Sequence, residues 1–381
     1  MTDCTLIETQ DALDAACAHF AAAPALAVDF EGEWNCHHYG NYLCLVQIAD
    51  GAQVWLIDAL AKLDLAPLWA VLLAPEVLKV MHDPQSDFLL LDKQFACHPR
   101  NIFDTAKAAH LLGRERLGLA GMLHDYCGVD KEEGCQADDW TVRPLAARMR
   151  EYAAHDVRTL LALHERLKGE LQEKGRLAWH AEECRRLESI RFTADPEPHL
   201  RVKGAKKLPR FAREVLRELH ALREQTAQAA DKPPYQIINN LLLLKLAQNP
   251  PEDAAGWHEL RGVHPFVKRQ ARDWHEAAQR GRQAGQQLAL CPPPPAEPYR
   301  PREPGDQVAR REKLLTKVQQ EIARRHPDVS QIIMSQVMVR NLARGEANDS
   351  LRQWQRAVIV QVARELQLEL DEDWFPAAAD I

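Results

Sequence analysis

Acidic side chains recur in this sequence at places where carboxylates can converge. Asp29, Phe30 and Glu31 end the apolar run Ala25 to Phe30, which reads as a buried strand. Residues two apart in a strand point to the same face, so Asp29 and Glu31 project together. A solvated strand end explains such a pair standing alone, whereas a hard divalent cation explains it when further carboxylates join. The stretch from His82 to Asp87 follows a second strand-like run, Val77 to Met81. An acid in the first turn of the next helix suits either a cation site or a helix cap. Tyr152 and Asp156 lie four apart in a helical run and share a face. Taken alone they read equally as a core tyrosine and a surface acid.

The elements that must position these residues alternate between strand and helix. Leu43 to Ile48 and Val54 to Ile57 read as two more strands, with a turn at Asp50-Gly51. Leu63 to Leu73, Ser86 to Phe95 and Thr105 to Leu112 have helical spacing, and Arg143 to about Arg191 is almost wholly helical. Interleaved strands and helices of this kind predict an α/β domain with a mixed sheet. Pro196 and Pro198 mark a boundary, after which residues 199–285 show no strand-like segment and form a small helical bundle. Cys291 to Pro295, with Pro298, Pro301 and Pro304, reads as a proline-rich linker. Residues 306–370 are again helical, with Leu314, Val318 and Ile322 expected on one face.

At 381 residues, two or three domains are expected. No run of about 18 uncharged apolar residues is present, which argues against a membrane span. Met1 to Cys4 opens no basic-then-apolar stretch, so no secretion signal is expected. The nine cysteines include no CxxC pair and read as reduced thiols of a cytoplasmic protein rather than zinc ligands. The net charge of −7 conceals a division. Residues 1–168 carry 14 Lys/Arg against 25 Asp/Glu, a net of −11, whereas residues 199–285 carry 16 against 9, a net of +7. A polyanion would be drawn to the second region, and bound cations would invert the field of the first.

In order, spacing and context, the three acidic elements resemble the DEDD exonuclease superfamily in its tyrosine-bearing subgroup, and within it ribonuclease D and the related nuclear exosome exonuclease. Tyr42 to Ile48 is similar to that family's second strand. His82 through Asp87 to Asn101-Ile102-Phe103-Asp104-Thr105 is similar to its second motif, and Asp139-Trp140 with Arg143-Pro144-Leu145 to the loop before its last helix. Residues 210–281 resemble the HRDC-type helical domain shared by helicases and ribonuclease D, through Leu222-Arg223-Glu224, Asp231 to Pro234 and Leu246-Ala247. The likeness covers about three quarters of the chain and fades after residue 285. Phe30, Gly32 and Glu33 depart from the family pattern beside the first acidic pair, where they bear on how the terminal base is held.

The resemblance implies a ribonuclease H-like α/β exonuclease domain with a mixed sheet over residues 1–195. One or two all-α bundles follow: an HRDC-type domain at 196–285, then, after a linker at 286–305, a second, HRDC-like domain at 306–381. It implies two divalent cations, Mg2+ or Mn2+, held by Asp29, Glu31, Asp87 and Asp156, which clamp the attacking and leaving oxygens of an in-line displacement. Tyr152 would orient or deprotonate the attacking water. The expected activity is 3′→5′ exoribonuclease, releasing nucleoside 5′-monophosphates from tRNA precursors or other small structured RNA, by a monomer. His82 is a candidate for touching substrate or for fixing a strand end. Lys203, Lys206, Lys207 and Arg210 are candidates for phosphate contacts that position the strand. Two alternatives stay open: a single-strand DNA exonuclease, and a non-catalytic nucleic-acid-binding scaffold.

Overall fold

The computed structural model describes residues 4–130, 134–290, 305–346 and 351–370. Its first domain is built on one six-stranded sheet in the order β1-β4-β3-β2-β5-β6. The strands are β1 Cys4–Ile7, β2 Ala25–Trp34, β3 Asn41–Ala49, β4 Val54–Asp58, β5 Leu78–Met81 and β6 Ile102–Asp104. β3 runs antiparallel to both of its neighbours, and every other pair is parallel. The sequence predicts four of these strands. β1 and β6, of 4 and 3 residues, are not among them.

Leu26, Ala27 and Val28 are completely buried, as expected of a central strand covered on both faces. One face is covered by α1 Gln10–Ala22, α2 Ala66–Leu73 and α3 Gln85–Phe95. The other carries α4 Thr105–Leu111, α5 Leu119–Cys127, α6 Ala147–Arg158 and α7 Leu160–Glu173, while α8 Leu177–Glu188 packs at the β6 edge. α6 lies across β2, β3 and β4 and turns Met149, Tyr152, Ala153, Asp156 and Val157 inward. That is the i, i+3, i+4, i+7, i+8 stripe of an amphipathic helix, and it delivers one tyrosine and one acid to the sheet.

The second, helical domain is organised by α9 Arg210–Ala230 packed along the helix Ala271–Leu290. A Cβ at Gly281 would lie 2.5 Å from the Val215 Cα, so this close crossing excludes any side chain there. The helix runs to Leu290, five residues past the expected boundary at 285, because no breaker precedes Cys291-Pro292. Residues 291–304, most of the expected linker, fall outside the described set. The domain is tied to the first through the loop that follows β2. His38 Nδ1 lies 2.7 Å from Asp231 Oδ2, the Tyr39 backbone N–H donates to Asp231, and the Tyr235 hydroxyl donates to the Cys36 carbonyl at 3.1 Å.

The last helical segment, beginning with Gly305–Arg325, does not stand apart. Its buried stripe is Leu315, Val318 and Ile322, so Val318 and Ile322 lie where expected and Leu315 takes the place of Leu314, which is only half-buried. Spacings of 3 and 4 alternate in a 3.6-residue repeat, and two consecutive steps of 4 overshoot it. The stripe joins the core on the α4–α7 side of the sheet. Arg176, 3% exposed, donates to the Leu111 carbonyl at 2.8 Å and to both Asp328 oxygens at 2.8 and 2.9 Å. Trp179 stacks on Trp354 at 4.6 Å, and Glu183 accepts from Arg352 and from the Trp354 indole.

Removing the carboxylate from this network leaves a buried guanidinium without its counter-charge. Asp328→Ala is therefore expected to cost about 3 kcal/mol at pH 7. Arg176 and then Lys174 hold the Asp328 carboxyl far below the usual carboxylate range, against the opposing effect of burial. Its contribution is thus complete above the unfolded value of about 4 and fades as pH falls below it. Guanidinium unfolding at pH 7 and at pH 3 checks this, with the wild-type advantage expected to shrink at the lower pH. A difference that is pH-independent, or under about 0.5 kcal/mol, would remove the ion pair from the account.

Candidate active site

Asp29 and Glu31 leave β2 on the face covered by α6. β5 pairs with β2 only as far as Ala27, so beyond it β2 carries the two acids past the carboxyl end of its neighbour. A register shift opposite Glu31 and Gly32 leaves Cys44 of β3 unpaired, a β-bulge of the kind that re-aims side chains and raises the local twist. α6 brings Asp156 to the same place from above. Ligand oxygens of Asp29, Glu31 and Asp156 all lie within 4.8 Å of one another. Asp156 is buried, and the other two are half-buried.

These residues line a cavity of about 580 Å³, together with Tyr152, His82, Asp83, Lys107, His110 and Gln136. The Tyr152 ring is 8% exposed and is set beside Trp140, centroid to centroid 6.2 Å. Trp140 belongs to the loop before α6, which Arg143 pins by donating to both Asp58 oxygens at 2.6 and 2.7 Å and to the Cys44 carbonyl at 2.9 Å. A larger hollow of about 960 Å³ lies between α5 and α7, but its Arg114 and Arg116 are paired with Glu170 and Asp125.

The turn after β5 is fixed by residues whose sequence motif shows no such role. Asp104 is fully buried, and its Oδ1 accepts from the backbone N–H of Asp83 at 3.0 Å and of Ala106 at 2.9 Å. It caps α4 and anchors the Asp83 turn at once. The Thr105 hydroxyl donates to the Met81 carbonyl and pairs with His82 Nδ1 at 2.8 Å, which sets His82 at the cavity wall. Asp83, at φ 50°, lines the cavity in the left-handed conformation that aspartate tolerates better than most residues. Asp87 stands in the first turn of α3, outside the group of three carboxylates. Burial pushes its carboxyl up to about 7, with the Asp83 charge adding to the rise.

The donor set is made of carboxylate oxygens alone, which suits a hard divalent cation such as magnesium or manganese rather than zinc or copper. A second trio, Glu33, His37 and Asp139, is also close enough to hold an ion. One oxygen of each acid is engaged: Glu33 Oε1 accepts from the Cys36 and His37 backbone N–H groups, and Asp139 Oδ1 from the Thr141 backbone N–H and hydroxyl. Glu33, one of the departures from the family pattern, thus closes the loop that carries His38 to Asp231. Lys203, Lys206 and Lys207 lie far along the chain from the carboxylates and line their own exposed hollow of about 650 Å³ with Arg201, and Arg210 opens α9 nearby, also exposed. Asp83, Lys107, His110 and Gln136 carry no signal in the sequence, since nothing in a linear pattern shows which elements meet across a cavity.

Residues 4–172 match the family model described as a 3′-5′ exonuclease, and residues 212–277 match the HRDC domain. The chain is 34% identical to ribonuclease D of Zymomonas mobilis over 266 residues, 68% of this chain and 67% of that protein. It belongs to the ribonuclease D family. Ribonuclease D of Acidiphilium cryptum is 33% identical over 264 residues, 68% of this chain and 66% of that protein, so the alignments span about two thirds of the curated relatives. The solved Escherichia coli RNase D shares the fold, with a TM-score of 0.69 over 96% of this chain and 99% of that one at 23% identity. The first domain of this ribonuclease D family member is therefore a 3′-5′ exonuclease domain, and the α9 domain is of HRDC type.

Two substitutions separate roles within the site. Tyr152→Phe keeps the ring beside Trp140 and removes only the hydroxyl, so hydrolysis of a 3′-terminal nucleotide is expected to slow by roughly 10²–10⁴-fold. Asp156→Asn removes one of the converging charges, so activity is expected to vanish while thermal stability without metal is maintained or rises. Single-turnover rates and melting curves in EDTA check both. A slowing of less than threefold for Tyr152→Phe would make the tyrosine a packing residue.

Proposed function

We propose that the protein is a metal-dependent 3′→5′ exoribonuclease that trims RNA one nucleotide at a time and releases nucleoside 5′-monophosphates. The observation that carries this reading is the convergence of Asp29, Glu31 and Asp156 with Tyr152 at one cavity of a 3′-5′ exonuclease domain. Asp29, Glu31 and Asp156, joined by Asp87, would hold two divalent cations, Mg2+ with Mn2+ as a substitute. Bound there, the cations supply charge stabilisation at the scissile phosphate and its leaving oxygen. Tyr152 holds the attacking water by its hydroxyl and orients it toward the phosphorus. His82, on the cavity wall, contacts the terminal nucleotide.

The HRDC-type domain contributes affinity rather than chemistry. Lys203, Lys206, Lys207 and Arg210 are exposed cations in the basic region of an otherwise acidic chain, and phosphates are their natural partners. Docking of Asp231 on the loop after β2 keeps that surface joined to the strand that carries the acids. Precursor tRNA and other small structured RNA with a single-stranded 3′ end fit this division, with the protein acting as a monomer. The likeness to Escherichia coli RNase D, whose structure is described as that of an exoribonuclease involved in structured RNA processing, points the same way.

The test uses 5′-labelled single-stranded RNA and DNA of one sequence. A ladder shortening from the 3′ end, dependent on Mg2+ and faster on RNA, is the expected result, and preference for DNA would favour the single-strand DNA exonuclease alternative. With Lys203, Lys206, Lys207 and Arg210 all changed to alanine, binding should weaken and its salt dependence flatten. Every phosphate that is no longer neutralised by a side chain takes about 0.7 off the slope of log K against log salt. An unchanged slope would make this face a solvated surface.

A further inference from the structure

Gln47 sits at the middle of β3 and is completely buried. Neither its carboxamide N–H nor its carbonyl oxygen finds a hydrogen-bond partner, and among the described residues it is the side chain left with two such atoms. A buried amide of this kind is unfavourable, since each polar group has lost water and gained nothing. Its position shows what could satisfy it. Gln47 is the direct cross-strand partner of Asp29, so the two side chains stand on the same face of the sheet, about 5 Å apart at Cβ. Its partner on the other side is Leu56, and along its own strand Leu45 and Ala49 flank it, all apolar. The nearest other acid on β4, Asp58, is already taken by Arg143. Within the sheet, Asp29 is therefore the acceptor that faces it.

We propose that Gln47 is a positioning residue for metal binding. Its carboxamide N–H donates to the Asp29 oxygen turned away from the cations and so fixes the carboxylate in its ligating orientation. The inference rests on the reading of Asp29, Glu31 and Asp156 as cation ligands. A hydrogen bond to a ligating carboxylate tunes affinity even though its donor never touches the ion. The strand carries the cost of a buried, partnerless amide and so has a donor ready for the carboxylate. Stability of the empty protein and affinity for metal should accordingly respond to this side chain with opposite signs.

Gln47→Leu keeps the approximate volume and removes both polar atoms, and Gln47→Met keeps the length as well. Mn2+ binding is read by electron paramagnetic resonance of the free ion, without RNA, and melting is read in EDTA. The expected result is Mn2+ affinity about 10–100-fold below wild type, with a Tm in EDTA equal to or above wild type. Wild-type Mn2+ affinity in a folded variant would overturn the inference and leave the ligand assignment standing. A lower Tm in EDTA for both variants would also overturn it, since the amide would then be supporting the empty fold. Failure of the wild-type protein to bind Mn2+ would overturn the inference together with the reading beneath it.

Discussion

Three carboxylates held within 4.8 Å of one another repel. At an effective dielectric of about 20 each ionised pair costs roughly 3–4 kcal/mol. No local preference of the chain would create such an arrangement, so the surrounding fold must impose it. The apolar strand β2 fixes Asp29 and Glu31 on one face, and the buried stripe of α6 fixes Asp156 opposite them. The tension is of the kind that a divalent cation relieves. Stability and function are set against each other at this place, as the buried amide of Gln47 illustrates again.

The remaining architecture keeps those elements in register. Asp104 holds the turn after β5 and the start of α4 with one carboxylate oxygen. Arg143 fastens the loop before α6 to β3 and β4. At the far end of α4, Arg176 ties the Leu111 carbonyl to Asp328, so the last helical segment braces the wall that presents Lys107 and His110. The HRDC-type domain is attached by the loop directly after the acidic strand, where His38 lies between Asp139 and Asp231. The Asp231 hydrogen bond most, and the charge of both carboxylates besides, push the His38 imidazole above its ordinary pKa. The HRDC-type domain and the carboxylate site are thereby joined by a contact a few residues long.

Much of this is legible in the sequence because it depends on single elements. Alternation places Asp29 and Glu31 on one face, and a spacing of four does the same for Tyr152 and Asp156. The charge division between the first two domains needs only counting. Contacts between elements are not legible. Asp104 stands before a helix, and nothing in the sequence shows that it also holds the Asp83 amide, while Gln47 reads as one more residue of a buried strand until its partners across the sheet are known. Asp87 stands out in the sequence where Asp83 does not, because a left-handed turn that aims a side chain into a cavity leaves no periodic trace. In the last long helix the pattern favours Leu314 where the structure buries Leu315, since steps of three and four fit the sequence almost equally well.

The most direct test of the central claim is to locate the metal. Crystals soaked in Mn2+ and measured at a wavelength sensitive to manganese give an anomalous map in which the ion identifies its own ligands. Density bounded by Asp29, Glu31 and Asp156, with the Asp87 carboxylate turned toward it, is the expected result. Manganese found only at Glu33, His37 and Asp139, or nowhere near β2 and α6, would contradict it.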